Sequence, residues 1–241
     1  MKCFGIGGVP LDSTVWDFLY SCHFPYALGY GLTETSPLIA GCGPKHKMHK
    51  KGYIGKPVKH DDVILLDKNE EGVGEIAVKG PNVMTGYYNN EELNKEVFTP
   101  EGYFKTGDLG YIDKHGYLSI RGRVKTMILG PAGENIYPES IESIINNMEF
   151  VQETMVVPGD GGLVALIKVD VEAMQEKVKI RAEEVKNEAE KYLVKLKKTV
   201  NEQLSSFSKI SDTELQERDF ERTPTQKIKR FLYSKKKKED R

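Results

Sequence analysis

Cysteine is scarce in this sequence, and its few copies are not arranged to hold a metal. The 241 residues include three cysteines, Cys3, Cys22 and Cys42, an odd number without Cys-x-x-Cys spacing. The five histidines are scattered, and only the adjacent Cys22-His23 pairs the two residue types. These observations argue against a zinc site and a disulfide framework, and they favour the reducing cytoplasm.

Long apolar runs and an excess of charge of one sign are also absent. The net charge is -1, so no overall field attracts nucleic acid. No apolar run approaches the roughly 18 residues of a transmembrane helix, and the N-terminus has too few apolar residues for a signal peptide. The remaining composition, 39% hydrophobic and 29% charged, is ordinary for one large or two modest globular domains.

The sequence of the first 124 residues predicts an α/β layer followed by a small antiparallel β unit. Residues 3–7 predict a buried strand, Asp12-Ser13-Thr14 offers N-cap candidates for a helix through about Cys22, and residues 25–28 predict a second strand. Strand, helix and strand in this order suit a doubly wound α/β layer. Short strands separated by Asp, Asn, Gly and Pro turns between residues 52 and 122 then predict a small antiparallel β unit.

The part of the chain after Arg123 predicts a smaller α+β domain. Its pattern indicates a strand at 127–129, a helix from Pro138 to about Asn147, and paired strands at 154–157 and 163–167. One long amphipathic helix is predicted over 171–205. Its apolar stripe favours packing against the domain's own sheet, with a coiled-coil dimer as the alternative.

A glycine- and threonine-rich segment over residues 29–37 offers what a nucleotide monophosphate needs. Its glycines let the backbone approach a ligand closely, and Tyr30 offers an aromatic face to a purine. Thr33 offers a hydroxyl to a phosphate oxygen, and Glu34 a hard oxygen to Mg²⁺. By itself, the segment could equally be an ordinary glycine turn.

The same segment, Gly29-Tyr30-Gly31-Leu32-Thr33-Glu34-Thr35-Ser36-Pro37, resembles the signature turn of the adenylate-forming ligase superfamily. That superfamily includes acyl- and aryl-CoA synthetases, luciferases and the adenylation domains of peptide synthetases. The resemblance implies that Tyr30 stacks on adenine, Thr33 contacts the α-phosphate and Glu34 helps to hold magnesium. Upstream, Gly7-Gly8-Val9-Pro10-Leu11 resembles the turn whose backbone lines the adenine pocket.

Two further motifs follow in the superfamily's order. In Tyr103-Phe104-Lys105-Thr106-Gly107-Asp108-Leu109-Gly110, an aspartate on a fixed turn could accept hydrogen bonds from vicinal hydroxyls. The resemblance implies that Asp108 grips the ribose hydroxyls and that Arg123 reaches the ribose or a phosphate. It also makes Lys125 the hinge between residues 1–124, the C-terminal part of the large AMP-binding domain, and residues 125–241, a mobile C-terminal domain.

The last motifs lie in that C-terminal domain. The resemblance implies that the loop around Gly133 and Glu134 lines the CoA tunnel, and that Lys227 is the catalytic lysine of the adenylation step. The nucleotide-binding set implied by the resemblance is Gly8, Val9, Pro10, Gly29, Tyr30, Gly31, Leu32, Thr33, Asp108, Arg123 and Lys227. The structural segments Gly55-Lys56-Pro57, Gly80-Pro81 and Gly86-Tyr87-Tyr88 also match, and no chemistry is assigned to them.

The spacing between Arg123 and Gly133, and Gln226 in place of a glycine before Lys227, resemble the long-chain fatty acid–CoA ligase branch. The resemblance implies ATP, a fatty acid and CoA as substrates, Mg²⁺ as cofactor, and acyl-CoA, AMP and diphosphate as products. The Ser/Thr/Gly-rich phosphate loop that ends in Pro-Lys is missing upstream of residue 29, and Met1 leads directly into a strand. We therefore expect a C-terminal portion of the enzyme, impaired by itself.

Three alternatives remain open at this stage. The first is another carboxylate–CoA ligase or an adenylation domain of the same superfamily. The second is a catalytically inactive nucleotide-binding module, which the missing phosphate loop favours. The third is peripheral membrane contact through the basic tail, because residues 227–241 carry eight Lys/Arg against two acids; the sequence makes no prediction of oligomeric state.

Overall fold

Two separate units carry the secondary structure of this chain, Met1–Lys125 and Thr126–Arg241. The computed structural model describes residues 3–8, 11–45, 48–178, 184–224 and 227–233. Within these ranges, none of the helices combines the length and the apolar composition that crossing a bilayer requires.

The first unit begins with the predicted strand, helix and strand. Asp12 caps the helix, because its Oδ1 accepts hydrogen bonds from the N–H groups of Thr14 (2.8 Å) and Val15 (3.3 Å). The four-stranded sheet has the order β1-β2-β3-β4, parallel between β1 and β2 and antiparallel thereafter. Its elements are β1 (Phe4–Gly7), α1 (Ser13–Ser21), β2 (Tyr26–Tyr30), β3 (Ala40–Cys42) and β4 (Lys56–Pro57).

Two expectations for this sheet are wrong. The first strand is not buried: β1 forms the edge of the sheet, and Phe4 is 47% exposed. The second strand extends through Tyr30, so Gly29 and Tyr30 belong to β2 and the turn begins after them. Backbone pairing of Gly29 with Gly41, and of Tyr30 with Ala40, holds this extension in the sheet.

The second sheet of this unit is the predicted antiparallel β unit. It runs as a meander in the order β5-β6-β7-β8, with a short helix between β6 and β7. Ile76, Val78, Phe104 and Leu118 are buried at its centre. The elements are β5 (Asp62–Leu66), β6 (Gly74–Lys79), α2 (Glu91–Val97), β7 (Phe104–Ile112) and β8 (Leu118–Arg123).

The second unit has the predicted α+β composition. Its main sheet has the order β11-β12-β13, in which β11 and β12 are antiparallel and β12 and β13 are parallel. β9 and β10 form a separate antiparallel pair. The elements are β9 (Ile128–Leu129), β10 (Asn135–Ile136), α3 (Pro138–Asn146), β11 (Val151–Gly159), β12 (Gly162–Val169), α4 (Val171–Val178), α5 (Val185–Asn201) and β13 (Ile210–Leu215).

The amphipathic stretch packs against its own unit, and its last helix ends at Asn201 and not at 205 as predicted. The structure describes α4 and α5, and residues 179–183 between them lie outside the described ranges. The apolar face of α5 belongs to the buried core together with residues of the sheet. That core comprises Ile136, Ile141, Ile145, Val156, Leu163, Ala165, Ile167, Val169, Met174, Ala189, Leu193, Leu196, Val200 and Ile210.

Candidate functional site

Asp108 is the centre of a polar cluster in the first unit. It lies within β7 and not on a turn, directly opposite Arg123 of β8 in the antiparallel register. Its carboxylate is buried and accepts two hydrogen bonds, from Arg123 Nε to Oδ1 (2.7 Å) and from the Tyr30 hydroxyl to Oδ2 (2.8 Å). Its own N–H donates to Thr106 Oγ1 at 3.1 Å. Three strands therefore fix the orientation of this carboxylate.

Tyr30 is tied to this cluster through its hydroxyl. The residue ends β2 and is half-buried, and its ring packs against the core around Ile39 and Phe104. Burial, followed by the charge of Asp108, raises the pKa of the Tyr30 phenol far above its ordinary value. The phenol is therefore protonated at any physiological pH and remains a hydrogen-bond donor to Asp108.

The turn after β2 is built around a buried threonine. A 3₁₀ turn spans Thr33–Thr35, and the Thr35 hydroxyl accepts from the N–H of Leu32 (3.0 Å) and contacts the carbonyl oxygen of Pro37 (3.1 Å). A Cβ on Gly31 would lie 1.6 Å from that same carbonyl oxygen. The turn therefore requires glycine at position 31, and it leaves Thr33 exposed.

Glu34 is oriented by a neighbouring loop. The Tyr87 hydroxyl donates to Glu34 Oε1 at 2.9 Å, and the Met84 N–H donates to the Glu34 carbonyl oxygen at 2.8 Å. Burial and the bond to Glu34 raise the pKa of Tyr87. The sequence interpretation missed Tyr87; the tyrosine pair in the matched segment Gly86-Tyr87-Tyr88 was the available signal.

The described residues contain no group of three His, Cys, Asp or Glu side chains that could bind a metal ion by themselves. Glu34 Oε2 accepts no hydrogen bond from any residue that the structure describes, so it is one hard oxygen available to a cation. Magnesium is commonly bound by one or two carboxylates together with substrate phosphates. Glu34 therefore fits a magnesium ion that arrives with a phosphate ligand.

The second unit carries the other predicted residues. Gly133 is exposed at φ +90° in the turn between β9 and β10, and Glu134 Oε2 accepts from the Ala132 N–H at 3.1 Å. Lys227 is exposed, and the N–H of Thr223 donates to the Lys227 carbonyl oxygen at 2.8 Å.

The remaining predicted residues are placed only in part. Gly8 is exposed at φ +81°, and Lys125 is exposed at the end of the first unit. Val9, Pro10, Gln226 and the basic residues 235–238 lie outside the described ranges. The structure thus brings together Tyr30, Asp108 and Arg123, and separately Glu34 with Tyr87.

Comparison with known proteins finds a family match for the first part of the chain and similar proteins for most of it. Residues 1–88 match the model of the AMP-binding enzyme family. The 2-succinylbenzoate–CoA ligase of Oceanobacillus iheyensis is 37% identical over 154 residues, covering 63% of this chain and 32% of that protein. The ligase of the same name from Bacillus subtilis is 37% identical over 158 residues, with 64% and 32% coverage. The chain thus spans about a third of the length of these curated relatives.

Solved structures resemble nearly the whole chain. The o-succinylbenzoate coenzyme A synthetase of Bacillus subtilis in complex with AMP aligns with a TM-score of 0.78 at 28% identity, covering 97% of this chain and 46% of that one. ATP-bound MatB from Rhodopseudomonas palustris aligns with a TM-score of 0.74 at 26% identity, with 97% and 45% coverage. The family match thus covers residues 1–88, and the likeness to these solved structures extends over nearly the whole chain.

Proposed function

We propose that this chain carries the nucleotide site and the C-terminal domain of an AMP-forming carboxylate–CoA ligase. The observation that carries the proposal is the buried Asp108 carboxylate, held at once by Tyr30 and Arg123. Each carboxylate oxygen has further acceptor capacity beyond these bonds. A pair of vicinal ribose hydroxyls could therefore donate to Asp108 without displacing either neighbour.

The proposed phosphate end of the site is the turn after β2. There the exposed Thr33 hydroxyl would donate to an α-phosphate oxygen, and Glu34 would bind the magnesium ion that accompanies the nucleotide. Bound magnesium would neutralise phosphate charge. Gly31 lets the backbone of this turn pass close to the Pro37 carbonyl oxygen, where a Cβ would lie at 1.6 Å.

Two chemical steps follow from this assignment. In the first, a substrate carboxylate oxygen attacks the α-phosphorus of ATP, and the bond to diphosphate breaks. In the second, the CoA thiol loses its proton and attacks the acyl carbon, and AMP leaves. The Lys227 ammonium would stabilise charge in the first step, and the Gly133–Glu134 turn would line the CoA path in the second. Lys125 would be the hinge between the two domains.

The substrate class favoured by the relatives differs from the long-chain hypothesis. The curated relatives are named 2-succinylbenzoate–CoA ligases, whereas the long-chain hypothesis depends on the spacing from Arg123 to Gly133 and on Gln226. We therefore propose a carboxylate–CoA ligase outside the long-chain branch. An aromatic carboxylic acid is the first substrate to test.

A nucleotide-binding module without catalysis is the second candidate function. The observation that favours it is that the contacts around Asp108 lie within the first unit, so nucleotide binding needs none of the chemistry proposed for Lys227. Carboxylate-dependent exchange of labelled diphosphate into ATP separates the two candidates. Exchange by this chain would eliminate the non-catalytic module, and Lys227→Ala should then abolish the exchange.

Calorimetric titration with AMP tests the nucleotide site itself. Asp108→Asn removes the charge that Arg123 pairs with and weakens the acceptors for the ribose, so we expect at least about a tenfold loss of affinity. Asp160→Asn is the matched control, because Asp160 is exposed in the turn between β11 and β12. Equal affinities of Asp108→Asn and the control would contradict the proposed ribose contact.

A further inference from the structure

The loop from Gly80 to Tyr88 holds the turn that carries Glu34. The Asn82 amide donates to the carbonyl oxygens of Thr35 and Leu38, both at 2.9 Å. The Met84 N–H bonds to the carbonyl of Glu34 itself, and the Tyr87 hydroxyl bonds to its carboxylate. The loop therefore contacts the turn through a side chain, a backbone group and a phenol.

The backbone of Tyr87 is held by Asn94 through both its N–H and its carbonyl group. Asn94 of α2 accepts from the Tyr87 N–H at 2.7 Å and donates to the Tyr87 carbonyl at 3.0 Å. The preceding Gly86 adopts φ +147°, and a Cβ there would lie 3.0 Å from the Asn94 amide. Helix α2 thus holds the Tyr87 backbone, and the phenol makes its bond to Glu34 from this anchored position.

We propose that Tyr87 is a positioning residue for Glu34, which fixes Oε1 and presents Oε2 to the magnesium ion of a bound nucleotide. The inference rests on the proposed function, since it needs a nucleotide–metal complex at this turn. A glutamate side chain that is free to rotate loses rotamer entropy when it binds a cation. The phenol bond restricts that rotation in advance, so less entropy is lost on binding.

A purely structural role for Tyr87 makes a different prediction. If the phenol only stabilised the loop, its removal would weaken nucleotide binding equally with and without metal. If it positions Glu34 for magnesium, the loss is confined to the contribution that metal makes to affinity. The metal dependence of binding therefore separates the two roles.

The experiment is a calorimetric titration of ATP into the 241-residue chain, with Mg²⁺ and with EDTA. The matched variants are Tyr87→Phe and Tyr88→Phe, because Tyr88 is 93% exposed whereas Tyr87 bonds to Glu34. We expect Tyr87→Phe to lower the affinity for ATP about three- to tenfold with Mg²⁺ and to leave it unchanged in EDTA. Tyr88→Phe should behave as the wild type in both conditions.

Glu34→Gln completes a double-mutant cycle. Tyr87→Phe should cause no further loss of Mg²⁺-dependent affinity in the Glu34→Gln background, because its effect acts through that carboxylate. The inference would be overturned if the loss of affinity in the double variant equalled the sum of the losses in the two single variants. Equal losses of ATP affinity for Tyr87→Phe with Mg²⁺ and with EDTA would also overturn it. A third contradicting outcome is a Tyr87→Phe variant with the ATP affinity of Tyr88→Phe while Glu34→Gln binds more weakly. In that case the proposed function stands.

Failure of the proposed function has a separate signature. A folded wild-type chain that binds ATP neither with Mg²⁺ nor with EDTA would overturn the proposed site, and the role of Tyr87 with it. Thermal unfolding checks that the variants fold. If Tyr87→Phe does not fold, Asn94→Ala takes its place, because it loosens the Tyr87 backbone and retains the hydroxyl. We expect the same Mg²⁺-specific loss of ATP affinity from this variant. An unchanged Mg²⁺-dependent affinity would overturn the inference.

Discussion

At the scale of single residues, Gly31 shows how a turn depends on the absence of one methyl group. A Cβ at this position would meet the Pro37 carbonyl oxygen at 1.6 Å, and backbone atoms cannot rotate away as a side chain can. We expect Gly31→Ala to destabilise the first unit by at least about 2 kcal/mol. Denaturant unfolding followed by the fluorescence of Trp16, the only tryptophan in the sequence, measures this change.

Gly5 provides the matched control for that substitution. A Cβ on Gly5 would have no heavy atom within 4 Å, and Gly5 lies in the same sheet, in β1. Gly5→Ala should therefore leave the unfolding midpoint close to that of the wild type. Similar midpoints for the two variants would mean that the turn relaxes around the added methyl group.

Asp113 gives the first unit an acid-sensitive contact. Its Oδ1 accepts from the N–H groups of His115 and Tyr117, both at 2.9 Å, and its Oδ2 pairs with the Lys50 ammonium. The Lys50 hydrogen bond is the main cause that lowers the pKa of Asp113 from 3.8 to about 2. Because the folded pKa lies below the unfolded value, the stabilisation is present above about pH 4 and is lost as the pH falls toward 2.

The test compares the pH dependence of unfolding in two variants. Asp113→Asn removes the titrating group, so the stability of the first unit should fall less steeply between about pH 4 and 2 than in the wild type. Lys50→Met should likewise flatten the dependence, since it removes the largest cause of the lowered pKa and brings the folded pKa of Asp113 back toward the unfolded value. An unchanged slope in Asp113→Asn would show that this carboxylate does not contribute.

At the scale of elements, a buried ion pair ties the segment after Lys227 to α3. Glu142 is 7% exposed; its Oε1 accepts from the Val156 N–H at 2.7 Å, and its Oε2 pairs with the Arg230 guanidinium. Arg230→Met would leave this carboxylate buried without its partner. We expect a loss of about 3 kcal/mol in the stability of the second unit, the low end for breaking a buried pair.

Urea unfolding and limited trypsin digestion measure that effect. Cleavage after Lys227 should become faster in Arg230→Met, because its segment is no longer anchored to α3. Lys186→Met is the control: the Lys186–Glu217 pair at 2.7 Å is more than 60% exposed on both sides, and exposed pairs contribute little. Equal effects of the two variants would mean that burial does not strengthen the Glu142–Arg230 contact.

Sequence patterns correctly predicted the elements that are determined by residues close together in the chain. The cap at Asp12, the start of α3 at Pro138 and the antiparallel pair β11–β12 are cases of this kind. By contrast, β7 contains Gly107 at φ +72°, Asp108 and Gly110, residues that indicate a turn, and its strand conformation depends on pairing with β6 and β8. Strand β13 was missed because its polar residues are held by parallel pairing with β12.

The candidate site shows the same limit. The motifs indicated Tyr30, Asp108 and Arg123 separately, yet their contacts join residues 78 and 15 positions apart in the chain. The Tyr87–Glu34 bond spans 53 positions. Hydrophobic periodicity and turn residues are local signals, so they identify side chains of suitable chemistry without giving the contacts between them.

At the scale of the whole molecule, the second unit contains a core of its own. Helices α3 and α5 and the sheet β11-β12-β13 contribute to one buried cluster, in which Val156 and Ala165 are cross-strand neighbours. A domain of about this size can bury enough apolar surface to fold alone. We expect a protein comprising residues 126–241 to fold cooperatively, with the urea midpoint that this unit has in the full chain.

Circular dichroism of the isolated unit measures this midpoint, and amide exchange over a series of urea concentrations follows the opening of single residues in the full chain. The fluorescence of Trp16, the only tryptophan in the sequence, reports on the unfolding of the first unit, because Trp16 lies in that unit. In the full chain, the Trp16 transition should therefore differ from the exchange-derived midpoint of residues in β12. A single coincident transition, or an unfolded isolated unit, would mean that the two units fold as one.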